Sequence, residues 1–92
     1  MSERITDNAA LSRFELDLDG STAFIDYRRV GNTLYLDHTE VPVALRGHGV
    51  GGRMVKGALD LMRKRGELVV PVCSFIESFM LYHPEYAELR AK

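Results

Sequence analysis

Glycines are concentrated in one short stretch of the chain, Arg46-Gly47-His48-Gly49-Val50-Gly51-Gly52. Five of the eight glycines in the 92 residues lie between Gly47 and Gly57. The stretch follows a predicted strand and opens a predicted helix, where free N–H groups of the first helical turn attract an anion. The guanidinium of Arg46 adds a positive charge that suits phosphate. We therefore predict that residues 46–52 bind a phosphate group; the alternative is a flexible turn before a glycine-rich helix start.

Two common phosphate-binding motifs are excluded by the residues around this stretch. A P-loop requires Gly-Lys-Ser/Thr after its last glycine, whereas the chain has Gly52-Arg53-Met54. A dinucleotide-binding fingerprint requires a longer glycine spacing and more parallel strands than 92 residues of this pattern supply. The prediction is therefore of a phosphate loop of another kind, with the flexible turn as its alternative.

The single cysteine, Cys73, stands at the end of a predicted strand and just before a predicted helix. A helix N-terminus stabilises a thiolate and lowers its pKa. His38 lies toward the carboxyl end of the preceding strand, so both residues are expected at the sheet end where α/β folds bind ligands. Cys73 could act as a nucleophile with His38 as its base, or His38 alone could deprotonate an attacking amine. The alternatives are a buried, inert thiol and a hydrogen-bonded structural histidine.

Metal binding is not expected, because the histidines and Cys73 lack the spacing of a structural zinc site. His48 lies within the glycine-rich stretch and is predicted to touch phosphate or to be solvated.

The first half of the chain alternates in the manner of antiparallel strands. Phe14, Leu16 and Leu18 alternate with acidic residues, and Asp19-Gly20 is a hairpin signal. A second strand is predicted over residues 22–29, and a third over residues 33–41. On the third strand the alternation places Leu34, Leu36 and His38 on one face and Tyr35, Asp37 and Thr39 on the other. Residues 1–12 are polar and are predicted to be loosely ordered.

The second half changes to helical periodicity at Val50, and Gly66 is placed to end that helix. Residues 68–72 form a short apolar strand, in which Pro71 predicts a sheet edge or a splayed pair. Ser74 and Glu77 form a capping box that starts a second helix. The element order is β-β-β-α-β-α in one domain, residues 1–92. The fold class is α/β (α+β): a mixed sheet with an antiparallel meander followed by a parallel βαβ crossover.

The glycine-rich stretch is similar to the Arg/Gln-x-x-Gly-x-Gly/Ala signature of the GNAT superfamily of N-acetyltransferases, which Arg46, Gly49 and Gly51 match. The resemblance covers roughly residues 14 to 90. The chain resembles small stand-alone GNAT-like proteins, which carry a His on the strand before the loop, a Cys after the next strand and a His-Pro-Glu-Tyr end; here these are His38, Cys73 and residues 83–86.

This resemblance implies a GNAT-like fold that binds acetyl-CoA, with the pyrophosphate on residues 46–52. It implies an N-acetyltransferase that passes the acetyl group to an amine, on a small molecule or a protein, with Cys73 and His38 as the catalytic residues. A CoA-binding or acyl-sensing module without catalysis is the first alternative. A plain interaction domain that binds no CoA is the second.

Composition narrows the class of partner. Twelve basic and thirteen acidic residues give a formal net charge of -1, so bulk charge recruits neither nucleic acid nor a membrane. One cysteine excludes an internal disulfide and fits a reducing compartment. Residues 1–8 contain no apolar signal-peptide region, so we predict a cytoplasmic protein. We expect a monomer or a weak homodimer.

Overall fold

The structure is a computed structural model that describes residues 4–92. It contains five strands and two α-helices: β1 Thr6–Asn8, β2 Arg13–Leu18, β3 Ser21–Val30, β4 Thr33–Glu40, α1 Val50–Arg65, β5 Leu68–Pro71 and α2 Ser74–Tyr82. Short 3₁₀ turns at Val43–Leu45 and Pro84–Leu89 follow β4 and α2. No helix of the described part of the chain is long and apolar enough to span a bilayer.

The strands form one mixed sheet in the order β1-β2-β3-β4-β5. Strands β1 to β4 pair with one another in antiparallel fashion, and β5 runs parallel to β4 after the α1 crossover. The predicted fold class is therefore confirmed. The predicted edge position of the Pro71 strand is also found, because β5 is the last strand of the sheet.

The N-terminal segment differs from the prediction of loose order over residues 1–12, of which residues 1–3 lie outside the described part. Thr6–Asn8 form a strand that pairs with β2, and Ile5 lies over Gly57 of α1. A Cβ at Gly57 would lie 2.5 Å from Cγ1 of Ile5. The sequence does not reveal this strand, because three polar residues show no apolar alternation. Its approach to α1 requires a residue without a side chain at position 57, which is far away along the chain.

The helices pack on one face of the sheet and enclose the core. The buried strand residues alternate along β2, β3 and β4, as expected when one face is covered. They join the apolar stripe of α1, and Ile76 and Met80 of α2, in a single cluster. Gly66 ends α1 with a φ of 71°, and its N–H reaches the carbonyls of Met62 and Arg63, so the predicted helix end is confirmed.

A β-bulge in β4 overturns the predicted assignment of its faces. Asp26 pairs with His38 and Tyr27 pairs with Leu36, so Asp37 is an extra residue in the ladder. One extra residue inverts the alternation beyond it. His38 therefore lies opposite Asp26, on the face away from the helices, and does not share the face of Leu34 and Leu36. Thr39 takes that place instead, because it pairs with the fully buried Ile25.

The start of α2 also differs from the predicted capping box. The helix begins at Ser74, and Cys73 occupies the N-cap position with no side-chain hydrogen bond of normal geometry to the first turn. Glu77 does not complete a box, because with Cys73 as the N-cap it lies one residue beyond N3, and its carboxylate instead accepts a hydrogen bond of 2.9 Å from Arg90. The cysteine, not the serine, therefore stands at the amino end of the helix.

Candidate active site

Strand β5 ends while β4 continues, which leaves a gap in the sheet beside residues 37–40 of β4. Their pairing ends at Leu36 and Pro71, although β4 continues to Glu40. The N–H of Cys73 donates to the carbonyl of Leu36 over 2.9 Å, which anchors the chain at the point where it leaves the sheet. Every residue of β5 pairs with β4, so the predicted sheet edge is found without a splayed pair, and the turn after Pro71 brings Cys73 next to the last residues of β4.

The glycine-rich loop enters α1 through two residues in the left-handed region. Gly47 and Gly49 have φ angles of 84° and 72°, which L side chains rarely adopt. Gly49 is the N-cap residue of α1, and no side chain caps the helix. The first turn of α1 also contains no acidic residue. An uncapped helix start without a carboxylate in its first turn is suited to an anion.

A cavity of about 420 Å³ lies between this loop and the end of β4, and Cys73 is not among the residues that line it. Six of the seven predicted cofactor-binding residues line it: Arg46, Gly47, Gly49, Val50, Gly51 and Gly52. The remaining wall is formed by Thr39, Glu40, Val41, Leu45 and Phe75. A Cβ at Gly51 would lie 3.1 Å from the ring of Phe75, so the glycine permits close packing of α1 against the aromatic wall of the cavity.

Arg46 is held at the edge of the cavity by its neighbours. Its Nε donates to the carbonyl of Val41 over 2.8 Å, and its Nη2 lies 3.5 Å from Oε2 of Glu40. The side chain is 59% exposed. The guanidinium is thus oriented by the end of β4 and remains accessible to a ligand from solvent.

His48 faces a different part of the surface. It lines a separate depression together with Leu18 and Asp19 of the β2–β3 hairpin and with Arg53. It does not line the cavity between the loop and the end of β4. Its backbone still belongs to the glycine-rich loop, so any role in phosphate binding falls to its N–H rather than its ring.

The Cys73 thiol has a pKa below its ordinary value. Partial burial raises the pKa, but the hydroxyl of Thr39 and the backbone N–H groups of Ile76 and Phe75 lower it by a larger amount. The sulfur lies 3.5 Å from Oγ1 of Thr39. Thr39 also lines the cavity, so it connects the thiol with the predicted cofactor site. A half-buried thiol with a lowered pKa favours a reactive cysteine over the inert one of the alternative interpretation.

His38 is not brought to Cys73. Its side chain is 57% exposed on the outer face, and its Nε2 lies 3.1 Å from Oε1 of Glu40. The bulge at Asp37 is the reason, because it turns His38 outward and Thr39 toward the thiol. Thr39 and Glu40 are the site residues that sequence reasoning missed; their only signal was their position at the strand end before the loop.

Within residues 4–92, no three His, Cys, Asp or Glu side chains are grouped so that they could hold a metal ion.

Comparison with known proteins places this arrangement in a family. The profile of the family described as GCN5-related N-acetyl-transferase matches residues 13–89. The protein NATD1 of Danio rerio is 32% identical over 90 residues, which cover 92% of this chain and 82% of that protein. NATD1 of Bos taurus is 31% identical, over 88% of this chain and 74% of that protein. The NMR solution structure of a GCN5-like protein from Staphylococcus aureus superposes with a TM-score of 0.71 and 27% identity, and covers 99% of this chain and 91% of that one. The chain belongs to the GCN5-related N-acetyltransferase family.

Proposed function

We propose that this protein is an acetyl-CoA-dependent N-acetyltransferase that acts on an amine. The observation that carries the proposal is the cavity itself, which extends from an uncapped, glycine-rich helix start to Thr39, whose hydroxyl lies 3.5 Å from the sulfur of Cys73. The residues fit the ligand, because the loop offers backbone N–H groups and Arg46 to a pyrophosphate. The wall of Val41, Leu45 and Phe75 offers apolar contact to the rest of the molecule.

The thioester of acetyl-CoA would reach the gap beside the end of β4, where Thr39 and Cys73 stand. In the covalent route, the Cys73 thiolate attacks the acetyl carbonyl, the carbon–sulfur bond of the cofactor breaks, and CoA leaves as a thiolate that takes up a proton. A neutral amine then attacks the acetyl-cysteine thioester, its nitrogen loses a proton to a base or to water, the carbon–sulfur bond breaks, and Cys73 leaves as the thiolate. The lowered pKa of Cys73 supports this route.

In the direct route, the amine attacks the cofactor thioester and Cys73 remains unmodified. His38 could serve either route only from the outer face of the sheet, since it does not contact the thiol. It would take the proton of an amine that approaches from that side. We therefore assign removal of the amine proton to His38. We assign contact with the acetyl group to Cys73 and Thr39.

The test is intact-protein mass spectrometry after incubation with acetyl-CoA, beside calorimetric titration with CoA. We expect CoA binding and a single acetyl adduct that disappears in Cys73→Ala. Cys73→Ser is the matched control for size, and it should bind CoA like the natural protein. Binding without an adduct in the natural protein would reject the covalent route and leave direct transfer or an acyl-sensing module. Absence of CoA binding would reject the proposed function.

The lone free Cys73 supports a cytoplasmic, reducing location as part of the same proposal. The acceptor amine, on a small molecule or a protein, and the monomeric or weakly dimeric state stay predictions.

A further inference from the structure

Glu40 uses its two carboxylate oxygens for two different residues of the proposed site. Its Oε1 lies 3.1 Å from Nε2 of His38, and its Oε2 lies 3.5 Å from Nη2 of Arg46. The side chain is 41% exposed and lines the cavity. One carboxylate thus connects the residue proposed to bind phosphate with the residue proposed to take the acceptor proton.

This carboxylate stands where a bound pyrophosphate would bring negative charge. Nε of Arg46 is already engaged by the carbonyl of Val41, so the Nη groups are the ones left for a phosphate. Glu40, whose Oε2 lies 3.5 Å from Nη2 and so beyond normal hydrogen-bond length, would therefore compete with a phosphate for this side of the guanidinium. The competition favours phosphate, because an exposed Arg–Glu pair contributes little free energy whereas guanidinium–phosphate contacts are charge-assisted and commonly bidentate.

The other oxygen of Glu40 determines how His38 can act. An acceptor at Nε2 favours the neutral tautomer that carries its proton there, which leaves the lone pair on Nδ1. Asp26 is the residue paired with His38 across the sheet, and Glu40 is within hydrogen-bond distance of the ring. When the carboxylate is shared with Arg46, this orientation is held less firmly than when Glu40 belongs to His38 alone.

We propose that Glu40 is a positioning residue that couples the filling of the cavity to His38. In the free protein it is shared between Arg46 and His38; phosphate at Arg46 releases it, and it then fixes His38 with Nδ1 free to accept a proton from the amine. The coupling rests on the proposed function, because the phosphate is that of CoA. The coupling means that His38 is oriented to accept the amine proton only after CoA is bound.

The first measurement is calorimetric titration with CoA. Glu40→Gln removes the competing charge and keeps the side-chain size. An exposed ion pair contributes about 0.2–1 kcal/mol, so we expect CoA to bind about 1.4- to fivefold more tightly than to the natural protein. The matched control is Glu85→Gln, because Glu85 lies 3.4 Å from Nδ1 of His83 in the same His-x-Glu spacing but away from the cavity. Its affinity should be unchanged.

The second measurement follows the imidazole nitrogens by NMR at a pH where His38 is neutral. Addition of CoA should shift His38 toward the Nε2–H tautomer in the natural protein, and Glu40→Ala should abolish that shift; His83 serves as the internal reference. If the natural protein does not bind CoA, the proposed function fails and the coupling with it. If it binds CoA but Glu40→Gln binds no more tightly, or the His38 tautomer does not respond, the coupling is wrong while the proposed function stands.

Discussion

The reactivity of Cys73 depends on neighbours that are close in space but were not evident in the sequence. Its hydroxyl partner, Thr39, comes from another strand, and the N–H groups come from its own helix. The sequence could predict the helix-terminal thiol, because a cysteine before a helix start is a local feature. It could not predict the partner, since the bulge at Asp37 exchanges the faces of His38 and Thr39 and leaves no mark in the apolar pattern.

Replacement of Thr39 by valine tests this assignment. The variant removes the hydroxyl and keeps the branched shape, so the pKa of Cys73 should rise and less thiolate should be present at neutral pH. A hydrogen bond contributes about 0.5–1.5 kcal/mol, which corresponds to an alkylation rate about two- to tenfold lower at a pH below the thiol pKa. The measurement is the rate of iodoacetamide modification against pH.

The control for this substitution is Thr22→Val. Thr22 donates its hydroxyl to Asp17 over 2.5 Å, near the β2–β3 turn and away from the thiol. Its alkylation profile should match that of the natural protein. An unchanged profile in Thr39→Val would show that the helix start alone lowers the thiol pKa.

The elements with a clear period of apolar residues could be predicted from the sequence. The elements defined by tertiary contacts could not. The alternation of β2 and β3, the stripe of α1 and the Gly66 helix end are local patterns, and the structure has each of them. Strand β1 is short and polar; it pairs with β2, and Ile5 just before it fits into the space that Gly57 leaves on α1. No local signal connects residue 5 with residue 57.

Gly57→Ala should therefore detach this segment without disrupting α1. The new Cβ overlaps Ile5, whereas alanine favours the helix by about 1 kcal/mol over glycine. We expect hydrogen exchange at the β1 amides to become faster while the amides of α1 stay protected. Gly52→Ala is the matched control, because the Cβ there would lie 3.9 Å from Phe79 and meet no overlap. Equal protection of β1 in both variants would contradict this account of the segment.

At the scale of the whole molecule, two buried tyrosines connect the first strand and the last turn to the elements that they pack against. Tyr27 donates its hydroxyl to Asp7 of β1 over 2.6 Å, and Tyr86 of the last turn donates to Asp60 of α1 over 2.7 Å. Burial raises the pKa of both phenols, and the neighbouring carboxylates raise it further because an anionic phenolate beside them is disfavoured. Arg29 opposes the shift at Tyr27, and Lys56 opposes it at Tyr86.

These raised pKa values predict a loss of stability at alkaline pH. A group with a higher pKa in the folded state binds its proton more tightly there, so its contribution is complete below the unfolded pKa of about 10 and is lost as pH rises through the folded pKa. The free energy of unfolding, measured with urea, should fall as the pH rises above about 10 toward the raised folded pKa values, as tyrosinate absorbance appears. Tyr86→Phe should lower the free energy of unfolding by about 0.5–1.5 kcal/mol at neutral pH and reduce the alkaline loss, because the phenol that titrates is gone.

The control is Tyr82→Phe, at a residue that is 83% exposed, and it should behave like the natural protein. An alkaline loss of the same size in Tyr86→Phe would show that other groups, and not this connection between the last turn and α1, make the fold sensitive to high pH.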